Sequence, residues 1–444
     1  MSKYRTAPLA TTGRPPGLPY IIGNEGAERF SFYGMRAILV VFMTQYLMAG
    51  SGSDLMGEEE AKSWYHLFVS AVYFTPLLGA LISDGVMGKF CTIIVLSIVY
   101  CLGHFALAID HTRLGLALGL GLIALGSGGI KPCVSAHVGD QFGKSNEHLL
   151  SRVFGWFYFS INVGAFVSML ATPWLLRVYG ASVAFALPGL LMLAATLIFW
   201  AGRHQYAHIP PAGMRFVRES LSGAGLGALG RLCLVYLFVA VFWSLFDQTG
   251  SAWVLQAQHM NREILGYNVL PAQIQAANPL LVMLLIPIFS AWIYPAIDRI
   301  FPLTELRKIS IGMFVTVIAF AIPTWIQMQI DAGIEPHIGW QLLAYVVLTS
   351  AEVMVSITCL EFSYTQAPPT MKSFIMAFFM LSISAGNLFT SAVNFFIRNP
   401  DGTSSLAGAG YYQFFTILML ITAIAFTMVA RFYKGARFIQ PEQQ

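Results

Sequence analysis

The 444-residue chain predicts an all-α, polytopic membrane fold of twelve transmembrane helices in two six-helix halves, and three observations carry that prediction. Hydrophobic residues make up 57% of it, aromatics 14% and charged residues only 10%, at a mean hydropathy of +0.67; a soluble protein has roughly a quarter of its residues charged. A helix needs about 20 mainly apolar residues to cross a bilayer, and twelve stretches meet that length. The longest polar break, 203–230, leaves six stretches before it and six after.

In order, the spans are expected at 19–48, 63–84, 90–109, 114–136, 151–176, 181–202, 231–254, 272–295, 306–328, 339–363, 372–397 and 411–432. The first is apolar but carries four charges, and the second and third are parted by the turn in GALISDGVMGK, where Asp84 and Lys89 are expected to latch helix ends. The break RHQYAHIPPAGMRFVRESLSGAGLGALG is rich in Gly, Pro and Arg and reads as a linker. The organisation expected is a cytoplasmic tail 1–18, a bundle 19–202, a cytoplasmic linker 203–230, a second bundle 231–432 and a cytoplasmic tail 433–444. Six spans plus six is the layout of the major facilitator fold. Seventeen Lys and Arg fall in or beside the segments on the side of the termini, and five (Lys62, Arg113, Arg177, Arg262, Arg398) on the other, which places both termini in the cytoplasm. The first 18 residues lack the apolar core of a signal peptide. Five cysteines inside apolar runs, without metal-ligand spacing, read as small core hydrophobes. A net charge of +4 is too small and too dispersed for nucleic acid.

Seven ionisable residues lie well inside spans: Glu25, Glu28, Arg29, Arg36, Lys131, Asp247 and Glu352. At ~3 kcal/mol each, exposing them to lipid would cost roughly 20 kcal/mol, so they are expected to pair and to face a watery interior. Glu25, Arg29, Tyr33 and Arg36 are spaced four, four and three apart, one helical stripe with Glu28 just beside it. Tyr345, Glu352, Ser356 and Ser363 align likewise in the tenth span. The intramembrane cations, Arg29, Arg36 and Lys131, are all in the first half, whereas the second supplies only the anions Asp247 and Glu352. A cavity between the halves would be positive on one wall and negative on the other, a field that suits a zwitterion. At about 3.5 Å per extended residue, a dipeptide or tripeptide has the length to bridge it.

With these residues in view, the chain resembles the proton-coupled oligopeptide transporter family of the major facilitator superfamily, through nearly all twelve spans. EGAER (25–29) matches an ExxER motif and GSGGIKPCVSAHVGDQF (126–142) a fourth-span signature with its lysine. FYFSINVG (157–164), FWSLFDQTGSAW (242–253), the Asn278–Pro279 pair and AEVMVSITCLEFSYTQAP (351–368) complete the set in family order. The resemblance implies proton coupling by Glu25, Glu28, Arg29, Lys131 and Asp247. It implies capture of the peptide carboxylate by Arg29 and Lys131 and of its amine by Glu352 with Asn162 and Asn278. Tyr33, Tyr65 and Tyr73 would bond the peptide backbone, and Trp243 and Ser356 join the substrate-binding set. His66 on its own is more often a satisfied structural residue, but the resemblance makes it proton-linked. The chain departs from the pattern at Phe379, where a tryptophan is common, and at Ser290, where an aspartate would pair Arg231.

The function expected is proton-driven import of di- and tripeptides by alternating access; the alternative is a relative that carries nitrate or another small anionic or organic substrate. An intramembrane enzyme is disfavoured, since no nucleophile is motif-paired to a base. No cofactor beyond protons as coupling ion, no metal and no nucleic acid are expected. The partners are the peptide, protons and the lipid bilayer of a bacterial inner membrane, with the monomer as working unit.

Overall fold

The computed structural model describes residues 4–49, 52–211, 213, 223–366, 372–400 and 403–433. Arg215 and Arg218 of the linker, Ala367 and Pro368 of the last motif, and the tail 434–444 lie outside the described residues.

The chain is a helical membrane protein. Its helices are α1 (Leu18–Gln45), α2 (Glu58–Ile82), α3 (Lys89–Ile109), α4 (Arg113–Gly139), α5 (Leu150–Tyr179), α6 (Ala181–Ala201), α7 (Gly223–Phe246) and α8 (Ala252–Gln258). There follow α9 (Ala277–Ile288), α10 (Tyr294–Asp298), α11 (Glu305–Asp331), α12 (Gly339–Glu352), α13 (Thr358–Gln366), α14 (Lys372–Ile397) and α15 (Ala409–Phe432). Two short antiparallel hairpins, Met48–Ala49 with Gly52–Ser53 and Glu263–Ile264 with Tyr267–Asn268, decorate connections. Among the described residues, eleven stretches are long and apolar enough to cross a membrane. The first, α1, is long enough at 28 residues but carries the four charges already singled out.

Three spans expected as continuous are broken. The seventh pauses in a 3₁₀ turn at Asp247–Gly250 before resuming as α8. The eighth opens on a 3₁₀ turn at Pro271–Ala276 and is interrupted by a π-helical turn at Phe289–Ile293. The tenth is divided after Glu352 by a π turn at Val353–Ile357. Each break frees backbone groups, which a membrane tolerates only inside protein or beside water. A second correction concerns α2, which starts at Glu58 rather than near 63 and draws Glu58, Glu59, Glu60 and Lys62 into the helix. Acidic side chains in a first turn complement the positive end of the helix dipole, which extends the helix outward.

The described chain divides into two compact units. The first comprises residues up to 56 with 71–218 and holds α1, the later part of α2, and α3–α6. Its helices approach closely through glycines: a side chain at Gly79 would strike the backbone of Gly129, and one at Gly34 would strike Thr172. Small residues at helix crossings are the usual device in membranes, where packing has to replace the hydrophobic effect. At the start of this unit the tail is pinned to the segment after α6. Arg5 bridges Ala207 in parallel, its guanidinium donates to the Gln205 carbonyl at 2.7 Å, and the His208 N–H donates to the Arg5 carbonyl at 2.7 Å. Tyr4 stacks on the His208 ring with centroids 4.4 Å apart. The second unit comprises 57–70 with 219–444, so the opening turns of α2 pack among α7–α15. There Gly250 makes room for Tyr65, and Gly386 of α14 for the Ala240 backbone of α7.

Candidate functional site

In the first unit the α1 stripe forms as its spacing predicts. Arg29 donates from Nε to Glu25 Oε1 at 2.7 Å, one turn away, and the same nitrogen lies 3.3 Å from Glu28 Oε2. The other Glu28 oxygen accepts from Ser127 Oγ of α4 at 2.6 Å. Both glutamates are buried. One guanidinium thus holds two carboxylates, an arrangement that keeps buried charge tolerable while all three groups stay in place. One turn beyond Ser127 on α4 lies Lys131, buried, with no hydrogen bond to its ammonium among the described residues. Its Nζ sits 3.9 Å from the centroid of the Phe32 ring and 4.6 Å from that of Tyr73. Ring faces attract a cation without satisfying its N–H donors. Tyr33 is half-buried, next to Phe32 on α1. Asn162 is buried, with its amide donating back to the Tyr158 carbonyl of its own helix at 2.9 Å.

A second cluster, in the other unit, surrounds His66. Its Nδ1 lies 2.7 Å from Asn387 Oδ1 and its Nε2 lies 2.9 Å from Ser251 Oγ. Asn387 donates from Nδ2 to Asp247 Oδ2 at 2.6 Å and to the Ile383 carbonyl at 3.0 Å. Both acceptors fix which end of the amide is nitrogen, so Oδ1 must accept and His66 must carry its proton on Nδ1. Nε2 is then the acceptor for the Ser251 hydroxyl. Tyr65 stands edge-on to the His66 ring at 5.1 Å, and Trp243 packs against Phe242 and Phe246, its indole N–H without a partner among the described residues.

A third group lies at the break of the tenth span. Asn278, in the first turn of α9, donates to Glu352 Oε2 at 2.8 Å and to Thr349 Oγ1 at 3.2 Å. Glu352 is the last residue before the π turn, and the half-buried Ser356 lies within that turn. Single π turns widen a helix locally and recur at functional sites.

Each unit therefore gathers its own set: Glu25, Glu28, Arg29, Tyr33, Tyr73, Lys131 and Asn162 in the first, and Tyr65, His66, Trp243, Asp247, Asn278, Glu352 and Ser356 in the second. Asn278 is an amide beside Glu352, and Asn162 donates back to its own helix. Two sequence expectations change. Lys62, counted as a loop residue, is buried within α2 among second-unit residues, so that unit holds a cation and not anions alone. Lys89 latches Asp140 at the end of α4 at 2.7 Å, while the Asp84 carbonyl accepts from Gly213. Of the departures, Phe379 is buried with its ring 5.9 Å from that of Tyr236, and Ser290 lies in the π turn of the eighth span.

Sequence reasoning passed over Ser127, Ser251 and Asn387. A signal for Asn387 exists: Ser384, Asn387, Ser391 and Asn394 recur at three and four residues along α14, a polar stripe in an apolar span.

The sequence profile of the POT family (PTR2) matches residues 90–222 and 216–413. Solute carrier family 15 member 2 of Rattus norvegicus is 37% identical over 398 residues, which are 78% of this chain and 53% of that protein. Peptide transporter family 1 of Drosophila melanogaster is 36% identical over 364 residues, 71% of this chain and 48% of that one. The chain thus spans about half the length of these animal relatives. Among solved structures, the POT family transporter PepTSo superposes with a TM-score of 0.86 at 38% identity, covering 95% of this chain and 99% of that one.

Proposed function

The chain belongs to the POT family, and from that premise we propose that it is a proton-coupled symporter that imports di- and tripeptides by alternating access. The observation that carries the reading is Lys131: a buried ammonium with no hydrogen bond among the described residues, aimed at two rings instead. Such a group is a prepared donor to a carboxylate, because desolvation has already been suffered and its N–H groups remain to be used. Glu352, one oxygen held by Asn278, is the complementary group for a peptide amine. Ser127 and Asn278 keep the neighbouring carboxylates in fixed orientations before any substrate arrives.

Coupling follows from the shared guanidinium. A proton on Glu25 or Glu28 removes one of the two negative charges on Arg29, and the freed N–H donors turn to a peptide carboxylate or another anion. His66 takes a second proton on Nε2, after which Ser251 accepts there rather than donates; imidazolium then donates on both sides, to Ser251 and, through Asn387, toward Asp247. Tyr33, Tyr65, Tyr73, Trp243, Asn162 and Ser356 shape the substrate site. The reading has no enzymatic step and no cofactor besides the proton. It takes the protein as a monomer in a bacterial inner membrane with both termini cytoplasmic, and the bundle boundaries as 19–202 and 231–432.

The test is uptake of a labelled dipeptide into proteoliposomes with and without an inward proton gradient. Accumulation above the external concentration is expected only with the gradient. Equal uptake in both conditions would remove the coupling, and competition by nitrate but not by dipeptides would transfer the protein to the anion-carrying relatives.

A further inference from the structure

A polar cavity of about 260 Å³ in the second unit lies apart from the His66 cluster but against the same helix. Its wall includes Glu59 and Lys62 of α2, Ala252 and Gln256 of α8, and Tyr411 and Tyr412 of α15. It lies at the end of α2 that the distribution of Lys and Arg places outside. Lys62 is only 5% exposed; it is paired with Glu59, and its Nζ is 4.0 Å from the Tyr411 ring centroid. An ion pair buried this far is costly to assemble unless something further is gained.

Gln256 supplies the independent observation. It is 3% exposed, and its Nε2 donates to the Pro323 carbonyl at 2.9 Å and to Gln327 Oε1 at 3.0 Å. Gln327 in turn donates its own amide to Asp331 at 3.0 Å, so the orientation of both amides is set. Gln256 Oε1 is left as a buried acceptor without a partner among the described residues, in the wall of a cavity. Buried acceptors in polar cavities of this size are met by water. The wall is joined to the His66 cluster through the chain: Tyr412 bonds the Ala252 carbonyl at 2.9 Å, and Ala252 directly follows Ser251, whose Oγ is 2.9 Å from His66 Nε2. Along α2, Glu59, Lys62 and His66 are spaced three and four apart, one face of one helix.

We propose that this cavity is the hydrated approach by which external protons reach His66, and that Lys62 is a positioning residue which holds the Glu59 carboxylate at its wall. The proposal rests on the reading of His66 as proton-linked. The transfer balances without another reagent: Glu59, protonated from outside, passes its proton through cavity water to the Ser251 oxygen as the Ser251 hydroxyl gives its own proton to Nε2, so one O–H breaks as one N–H forms, and both the hydroxyl and the carboxylate are restored. Facing the pair are Glu58 on α2, His259 after α8, and Tyr411 and Tyr412 on α15. Asp331 on α11 is reached through Gln327, and the nearby Glu60 is paired with Arg398 at 3.2 Å.

The test uses the full chain in proteoliposomes, with dipeptide uptake measured across external pH beside counterflow at symmetric pH. In Lys62→Met, where Glu59 loses the ammonium that holds it at the wall, gradient-driven uptake should fall near neutral pH and recover on acidification, with counterflow unchanged, and Lys62→Arg should restore the parent profile. Glu59→Gln, a second variant should Lys62→Met fail to fold, should lose uptake near neutral pH and recover it on acidification. An unmoved profile in Lys62→Met, or equal loss of uptake and counterflow in either variant, would overturn the proposal and leave the pair a packing feature. His66→Asn is run alongside. Retention of full gradient-driven uptake in that variant would sink the reading of His66 itself, and this route with it.

Discussion

Asn387 shows how much can depend on a side chain that never changes charge. It accepts from His66 and donates to Asp247, so a proton on either neighbour is felt by the other through one amide. Asn387→Leu keeps the volume and takes one partner from each; leaving buried polar groups short costs about 1–3 kcal/mol. A lower unfolding temperature is expected, with gradient-driven uptake falling further than counterflow, and equal losses would make the amide purely structural. For Glu352, a charge-assisted hydrogen bond of roughly 1.5–3 kcal/mol translates into ten- to a hundredfold weaker equilibrium binding of a free dipeptide in Glu352→Gln. An N-acetylated dipeptide should bind parent and variant alike, and equal weakening of both ligands would deny Glu352 the amine. The Glu25–Arg29 pair was legible because charge in an apolar span is too expensive to be incidental and the four-residue spacing identifies its partner. Asn387 and Ser251 escaped notice since uncharged polar residues are ordinary in spans, and their partner lies 321 and 185 residues away in sequence.

Among the elements, the spans were easy to find and their interruptions were not. Apolar length predicts where a helix crosses; the π turn after Glu352 and the 3₁₀ turn at Asp247 are set by tertiary packing, which leaves no mark on hydropathy. The α2 boundary moved because three acidic residues look like loop yet suit a helix N-terminus. Crossings make their own demand. Gly79→Ala should lower stability by about 1–3 kcal/mol, since the added methyl meets the Gly129 backbone. Gly121→Ala, with nothing among the described residues within 4 Å of the new carbon, should be neutral or slightly stabilising, and thermal unfolding of the two side by side checks the claim. At the start of α4, Thr112 Oγ1 accepts from the Gly115 N–H, and Asp110 Oδ1 accepts from the Thr112 N–H at 2.9 Å. That backbone bond holds the Asp110 carboxyl below its ordinary range. Its contribution is therefore complete above the unfolded-state value near pH ~4 and is lost as pH falls through the lowered one. In Asp110→Ala the acid side of the stability profile should be flatter than in the parent; superposable profiles would discount the turn.

For the whole molecule, the decisive comparison is between net accumulation and exchange. A membrane potential supplies about 2.3 kcal/mol per charge per 100 mV, enough for tens-fold accumulation. Glu28→Gln should abolish that accumulation while sparing counterflow, because exchange of peptide for peptide needs no net proton movement; loss of both would return Glu28 to a structural role. The division expected from the sequence rests on the polar break at 203–230; the allotment of 57–70 to the second unit has no such mark, since nothing in the composition of α2 signals a change of neighbours along one continuous helix. The pinned tail has a practical consequence. Residues 4–8 read as dispensable, and an engineer trimming the chain for crystallisation would remove them first. Yet their loss would strip the Gln205 carbonyl and the His208 N–H of their bonds and uncover the His208 ring, turning a closed seam into a frayed end open to proteases. Truncation is safer attempted elsewhere, with the tail kept as part of the body it fastens.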